Sequence, residues 1–196
     1  MSLSFLSCGI FQFELEKILP EIKEALGGQD MHLDFLSPAL DVKADILEKS
    51  VTEHLESHHH DKTVLLYGGM CHTEWPRITG KFDAVYPKAA NCVEILLSPE
   101  KKKLSDASGN IYYLTMGGLK LWKEIYQQEH GWDSTDARIN FGSFEKIVVL
   151  DTGIFTISDE ELFEFFEYTQ VPVELMPISL DYFKSLVLEL CKAAMA

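Results

Sequence analysis

Three of the four cysteines in this chain follow predicted β-strands. Cys8 ends the first strand, Cys71 ends the Tyr-Gly-Gly-Met-Cys turn after a second one, and Cys92 follows a third. If these strands run parallel in one sheet, the three thiols lie at its carboxyl edge, where open α/β folds bind their ligands. Thiolates bind Zn²⁺ strongly, and three protein ligands with one open position are typical of catalytic zinc sites. Three cysteines with one other ligand also suit an iron–sulfur cluster.

The same thiols have a simpler interpretation as core residues. Free cysteine is among the most buried residue types and behaves as a small hydrophobic side chain. No pair among the three has the Cys-x-x-Cys spacing of a strong metal motif. Cys92 lies in the predicted first turn of a helix, where the helix dipole favours a thiolate. Cys191 shares an apolar helical stripe with Val187 and Leu190, which predicts that it belongs to the core.

Histidine supplies a candidate for the fourth ligand. His72 follows Cys71 on the same predicted edge and is the best histidine for a metal ligand or a proton donor, although an ordinary loop histidine is an equally good interpretation. The triplet at residues 58–60 precedes the third strand. Strand polarity therefore predicts that it lies at the amino edge of the sheet, away from the cysteines.

Further residues at the predicted carboxyl edge are candidates for contacts with a cofactor or a small ligand. Asp41 and Asp151 each follow a predicted strand, where an aspartate most often caps a helix or a turn. Gly68 and Gly69 allow a close approach between backbone and ligand. The chain has no Gly-x-x-x-x-Gly-Lys-Ser/Thr loop, and no Gly-x-Gly-x-x-Gly follows the first strand, which argues against ATP or NAD as the cofactor.

Strand-like and helix-like segments alternate along the chain. Strands are predicted at residues 3–8, 31–36, 63–67, 82–86, 111–114, 146–150 and 171–176. Helical periods lie between them; one has Asp41 as its predicted N-cap, and another opens at Ser158 with Glu161 at capping-box spacing. This order predicts parallel βαβ units with right-handed crossovers. We therefore predict one α/β domain over residues 1–196, a Rossmann-like three-layer sandwich with a mostly parallel sheet of about five to seven strands.

Composition limits the class of protein and its partners. The 196 residues are 46% hydrophobic, which is enough for a full core, and the formal net charge of -14 disfavours nucleic acid and anionic membrane surfaces as partners. No apolar run is long enough to cross a bilayer, and the first residues lack the basic region of a signal peptide. We expect a cytoplasmic protein with reduced thiols. The oligomeric state is left open, a homo-oligomer included.

The chain resembles the uncharacterised family catalogued as domain of unknown function 1638. The resemblance rests on Cys8, on the turn at residues 67–71, on Asn91-Cys92 and on Tyr-Leu-Thr-Met-Gly-Gly at 113–118, and it covers most of the chain. Members of this family occur mainly in anaerobic archaea and bacteria, often encoded beside corrinoid-dependent methyltransferases. The family usually has histidine at the position of Asp41 and aspartate at that of Asn91, so the resemblance implies a changed site if those residues bind a metal or a substrate.

The resemblance implies a link to anaerobic one-carbon or methylamine metabolism. We expect a metal-binding enzyme or accessory protein that acts with corrinoid methyltransferase systems, with Zn²⁺ or an iron–sulfur cluster held by the three cysteines. The alternative is a non-catalytic protein that holds a corrinoid, a metal or a small molecule for a partner enzyme. The chain lacks Asp-x-His-x-x-Gly, the usual corrinoid ligand motif of methyl carriers, which argues against cobalt ligation by histidine.

Overall fold

The computed structural model describes residues 2–57, 62–107 and 109–196, with only the backbone described at positions 41 and 42. The chain forms two compact units. Unit 1 comprises Met1–Pro99 and Leu180–Ala196, and unit 2 comprises Glu100–Ser179. The histidine triplet at residues 58–60, which was predicted to lie at the amino edge of the sheet, lies outside the described residues. In the described ranges, every helix is too short or too polar to span a lipid bilayer.

Unit 1 is a three-stranded parallel sheet with helices between its strands. Its sheet has the order β2-β1-β3, and both strand pairs are parallel. Its elements are β1 (Leu3–Cys8), α1 (Gln12–Ala25), β2 (Met31–Leu36), α2 (Ala44–Ser57), β3 (Lys62–Leu66), α3 (Trp75–Phe82) and α4 (Cys92–Leu97), with the C-terminal helix α9 (Asp181–Met195) and two 3₁₀ turns, Gly9–Phe11 and Pro38–Val42.

The sequence of unit 1 explains why β1 is central. All six residues of β1 are buried, as expected for a parallel strand covered on both faces. The first helix, α1, buries one apolar stripe and ends where Gly27 and Gly28 adopt φ values of 72° and 80°, so that their amides reach carbonyl groups of the last turn. Phe11 stacks on Phe183 of α9 with ring centroids 5.7 Å apart, and Phe183 is fully buried. Burial of each such side chain contributes about 1.5–3 kcal/mol.

Unit 2 repeats the parallel arrangement in a second sheet. Its strands pair in the order β4-β5-β6, and both pairs are parallel. After α5 (Pro99–Asp106), its elements are β4 (Ile111–Thr115), α6 (Met116–Lys120), a π-helix (Lys123–Glu129), α7 (Ser134–Phe141), β5 (Lys146–Asp151), α8 (Asp159–Thr169) and β6 (Val173–Pro177). Aromatic residues of these helices, Trp122, Tyr126, Phe141 and Phe165, share one core with β5.

The predicted fold class is confirmed, with corrections to the sheet. Parallel strands with helices between them form a Rossmann-like α/β fold, and Ser158 and Glu161 form the predicted capping box at α8. The described strands form two sheets of three, however, so the expectation of one sheet of five to seven strands is wrong. The prediction of a single domain over 1–196 stays a prediction.

Two local predictions in unit 1 are also corrected. The strand expected at 82–86 is reduced to one parallel bridge between Val64 and Val85, because α3 runs to Phe82 and ends at Asp83 in the left-handed conformation (φ 54°). Only a short extended stretch then remains before Pro87, which has no N–H to donate to a ladder. Asp41 lies in the 3₁₀ turn Pro38–Val42, and α2 begins at Ala44, so Asp41 is not the N-cap of α2.

Candidate functional site

All three cysteines that follow predicted strands belong to unit 1. Cys8 is the last residue of the central strand β1, and Cys71 lies in the turn after β3. Cys92 is the first residue of α4 and follows the segment that bridges to β3 through Val85. Because these segments run parallel, Cys8 lies at the carboxyl edge of the unit 1 sheet, and Cys71 and Cys92 follow that edge in sequence. Cys8 is 9% exposed, whereas Cys71 and Cys92 are half-buried.

The segments that carry Cys71 and Cys92 are joined by backbone hydrogen bonds. The Gly69 N–H donates to the Ala89 carbonyl at 2.8 Å, and the Met70 N–H donates to the Ala90 carbonyl at 2.7 Å. Each of these bonds lies within three residues of a cysteine. Residues 68–71 and 89–92 therefore belong to two adjoining segments, one bearing Cys71 and the other Cys92.

Gly68 packs closely against the backbone of the segment that carries Cys92. A Cβ at this position would lie 2.5 Å from Asn91 Cα and 2.7 Å from the Ala90 carbonyl oxygen. The Gly68 carbonyl accepts two hydrogen bonds, from the Cys71 N–H at 3.1 Å and from the Trp75 indole Nε1 at 3.0 Å. The close approach that Gly68 permits is thus to the backbone of the neighbouring segment, and it shapes the turn that ends at Cys71.

Asn91 prepares the position of Cys92. The Asn91 side chain caps α4 by accepting a hydrogen bond from the Glu94 N–H at 3.1 Å, and the Glu94 carboxylate accepts one from the Ala90 N–H at 2.7 Å. Cys92 therefore lies in the first turn of the helix, as predicted, beside the positive end of the helix dipole. Because the Asn91 side chain caps α4, its role in this structure is to stabilise the start of that helix.

His72 is built into the structure around the Cys71 turn. It is 8% exposed, and its ring lies 5.1 Å from the Trp75 ring, centroid to centroid. Its Nδ1 accepts a hydrogen bond from the Glu74 N–H at 3.2 Å, and its Nε2 lies 3.4 Å from the Glu48 carboxylate on α2. Both ring nitrogens are thus engaged, and ligation of a metal by His72 requires one of these contacts to break.

An arginine completes the polar contacts around His72. Arg77 donates to Glu48 at 2.6 Å and to Glu74 at 3.1 Å. The hydrogen bond from Arg77 lowers the pKa of the Glu48 carboxyl below its ordinary value of 4.5, and the same bond raises the pKa of Arg77. The carboxylate beside His72 is therefore ionised at neutral pH. This network connects α2 and α3 to the turn that carries Cys71.

The remaining predicted residues fall into three groups. Cys191 is fully buried in α9, as predicted, and burial raises the pKa of its thiol from 9.0 to about 12. Asp151 belongs to unit 2, where its carboxylate accepts a hydrogen bond from the Gly153 N–H at 2.9 Å at the end of β5. The side chain of Asp41 lies outside the described part of the chain.

One buried acid was missed by sequence reasoning. Glu14, in the first turn of α1 after Cys8, is fully buried. A buried carboxylate is costly and is therefore a candidate for a functional or a structural role. Its burial could have been found from the helical periodicity of the sequence. Glu14 lies four residues before Ile18 and eight before Ile22, on the same buried side of α1.

The arrangement does not form a ready metal centre. Within residues 2–57, 62–107 and 109–196, no three His, Cys, Asp or Glu side chains are close enough to share a metal ion. The three thiols fit Zn²⁺ by their chemistry, but their arrangement in this structure does not fit a three-ligand site. What the geometry provides is two adjoining segments that carry Cys71 and Cys92, with Cys8 at the end of the central strand.

Comparison with known proteins identifies the family of this chain. The family model described as protein of unknown function (DUF1638) matches residues 35–187. The chain belongs to the DUF1638 family. The matched range includes Cys71, Cys92 and Asp151, and it begins in β2, after Cys8. No curated protein matches the chain, and no solved structure does. Because the DUF1638 description assigns no activity, the function has to be argued from the site.

Proposed function

We propose that this chain is a metal-binding enzyme or accessory protein, with its site at the thiols, that serves corrinoid methyltransferase systems in anaerobic one-carbon or methylamine metabolism. The observation that supports a thiol site is the pair of hydrogen bonds, Gly69 to Ala89 and Met70 to Ala90, that join the segments bearing Cys71 and Cys92. The metabolic context rests on the resemblance to the family. The site lies at the carboxyl edge of a parallel sheet, the usual ligand position in this type of fold.

The ligand that we propose for the thiols is a soft metal, with Zn²⁺ first and an iron–sulfur cluster second. Two thiols in adjoining segments supply part of such a site, and Cys8 at the end of β1 is the third proposed donor. Because the thiols are not placed as a three-ligand site in this structure, binding of the metal requires them to move closer together. A metal bound there would supply a Lewis acid or an activated thiolate to a partner enzyme. In the alternative, the same edge holds a corrinoid or another small molecule for that partner, without catalysis.

The first experiment tests whether Cys71 and Cys92 act as a pair. Phenylarsine oxide bridges two thiols that are close together and binds single thiols weakly. We expect the reduced protein to bind one equivalent of this reagent, and we expect Cys71→Ser and Cys92→Ser each to lose that binding. The matched control is Cys191→Ala, which removes a buried thiol on α9 and should leave the binding unchanged. Binding retained by Cys71→Ser or Cys92→Ser, or lost in the control, would refute the pair.

The second experiment tests the metal directly. We expect protein purified under anaerobic conditions to contain a stoichiometric metal that Cys71→Ser and Cys92→Ser mostly lose and that Cys191→Ala retains. Equal metal content in all three variants would exclude Cys71 and Cys92 as ligands. Metal-free protein that takes up a corrinoid would instead support the non-catalytic alternative. Protein that binds neither a metal nor a corrinoid would contradict the proposed function.

A further inference from the structure

Unit 2 contains a pocket of its own at the carboxyl end of β5 and beside the middle of β6. The pocket has a volume of about 450 Å³, and its walls are Asp151 at the end of β5, the loop at residues 153–157 and Leu175 of β6. This volume is in the range of sites that bind small metabolites. Its position is the usual ligand position of a parallel α/β sheet. No cysteine contributes to its lining.

The loop that forms the pocket is fixed at its base. The Thr152 N–H and hydroxyl both donate to the Met116 thioether, at 3.1 and 3.0 Å, and this contact joins the ends of β4 and β5. The Asp151 carbonyl accepts the Ile178 N–H at 2.8 Å, which joins the end of β5 to the segment after β6. Gly153 adopts a φ of 68°, in which its N–H reaches the Asp151 carboxylate. A pocket wall held in this way is preorganised for a ligand.

The charges around the pocket favour a cationic ligand. Among the described residues that line it, Asp151 is the single charged one, and Gly153 occupies one of its carboxylate oxygens. Lys120, whose ammonium lies 4.7 Å from the centre of the Phe155 ring, is neutralised by an ion pair with Glu161. The first turn of α8 is acidic throughout. A phosphate or a carboxylate would therefore be repelled from this end of the sheet.

Apolar side chains form part of the remaining walls of the pocket. Ile154, Phe155, Ile157 and Leu175 are among its lining residues, and Leu175 is 40% exposed. One carboxylate among apolar and aromatic side chains is a combination that fits an ammonium group attached to a hydrocarbon body.

We propose that unit 2 binds a small organic cation in this pocket. The Asp151 carboxylate pairs with the ammonium group, and Phe155 and Leu175 contact the hydrocarbon body. This site goes beyond the proposed thiol function, because it uses no thiol and lies entirely within unit 2.

The test compares three probes of equal length with different charge. Hexylammonium, hexanol and hexanoate are titrated separately into the full-length protein, and binding is followed by the amide NMR signals of Gly153 and Phe155. We expect hexylammonium to bind most tightly and hexanoate least. The Asp151→Asn variant keeps an acceptor for the Gly153 N–H and should weaken hexylammonium binding by about tenfold or more.

The matched control is Glu145→Gln. Glu145 directly precedes β5, at the opposite end of the strand from Asp151, so its loss changes the net charge equally without touching the pocket. We expect it to bind hexylammonium as the unaltered protein does. A second variant, Leu175→Lys, places an ammonium in the pocket wall and should prevent binding. Equal affinity for hexanol, preference for hexanoate, undiminished binding in Asp151→Asn or no binding of any probe would each overturn the proposal.

Discussion

Replacing Gly68 with alanine is expected to separate the two segments that carry Cys71 and Cys92. The added Cβ would lie 2.5 Å from Asn91 Cα and 2.8 Å from Asn91 N, whereas ordinary contacts begin at 3.4 Å. The neighbours are backbone atoms that no side-chain rotation can move, so the segments must part by close to 1 Å. The two hydrogen bonds at 2.8 and 2.7 Å would then be lost. At about 1 kcal/mol for each bond, with strain added, the cost is about 2–4 kcal/mol of unfolding free energy.

Two other glycines of unit 1, Gly69 and Gly80, provide matched controls for this variant. A Cβ on Gly69 would lie 3.7 Å from the Ala89 carbonyl oxygen, an ordinary contact, and one on Gly80 in α3 would meet no atom within 4 Å. We expect Gly69→Ala to be nearly neutral. We expect Gly80→Ala to gain about 0.5–1 kcal/mol, because alanine is the better helix former. Urea unfolding of the three variants measures these differences, and phenylarsine oxide binding should decrease in Gly68→Ala alone. If Gly68→Ala is as stable as Gly69→Ala, the inference that this backbone contact joins the two segments is refuted.

Three further predictions concern stability. Because burial raises the pKa of Cys191 from 9.0 to about 12, the unfolded thiol loses its proton first, and stability should fall with rising pH in this window by about 1.4 kcal/mol per unit. In Cys191→Ala this pH dependence of the unfolding free energy should be absent, which urea unfolding at several pH values in the same range measures. An unchanged pH dependence would contradict the role of Cys191. The lowered pKa of Glu48 gives a dependence of stability on pH with the opposite sign. The pairing of Glu48 with Arg77 stabilises the fold above the ordinary pKa of 4.5, and this stabilisation is lost as the pH falls. Glu48→Gln should therefore lose less stability between about pH 6 and about pH 3 than the unaltered chain, and an equal loss would argue against the pair. Ser158→Ala should lower the stability by about 1 kcal/mol, because it removes the cap of α8. The control Ser185→Ala, on the exposed side of α9, should leave the stability unchanged. Equal thermal stability of the two variants would argue against the cap.

Local patterns predicted the elements of this fold better than the arrangement of its sheets. The strand at residues 3–8 and the capping box at Ser158 are each determined by residues close to the feature, so the sequence shows them directly. The division of six strands into two sheets depends on which strands pair, and pairing between distant segments leaves no mark in periodicity. The strand predicted at 82–86 failed for a similar reason, because the left-handed residue that ends α3 is an aspartate, without the glycine signal of such a stop.

The division into two sheets limits what a shared edge can bring together. Strand polarity is an argument about one sheet, since it places side chains together only where the strands pair in one ladder. Cys8, Cys71 and Cys92 follow segments of the unit 1 sheet, and Asp151 ends a strand of the unit 2 sheet. The sequence argument that combined them in one site therefore applies to the thiols and not to Asp151. The consequence is testable as additivity: Cys71→Ser should leave hexylammonium binding unchanged, Asp151→Asn should leave phenylarsine oxide binding unchanged, and the double variant should show both losses without any interaction between them. Coupling between the two measurements would contradict independent sites.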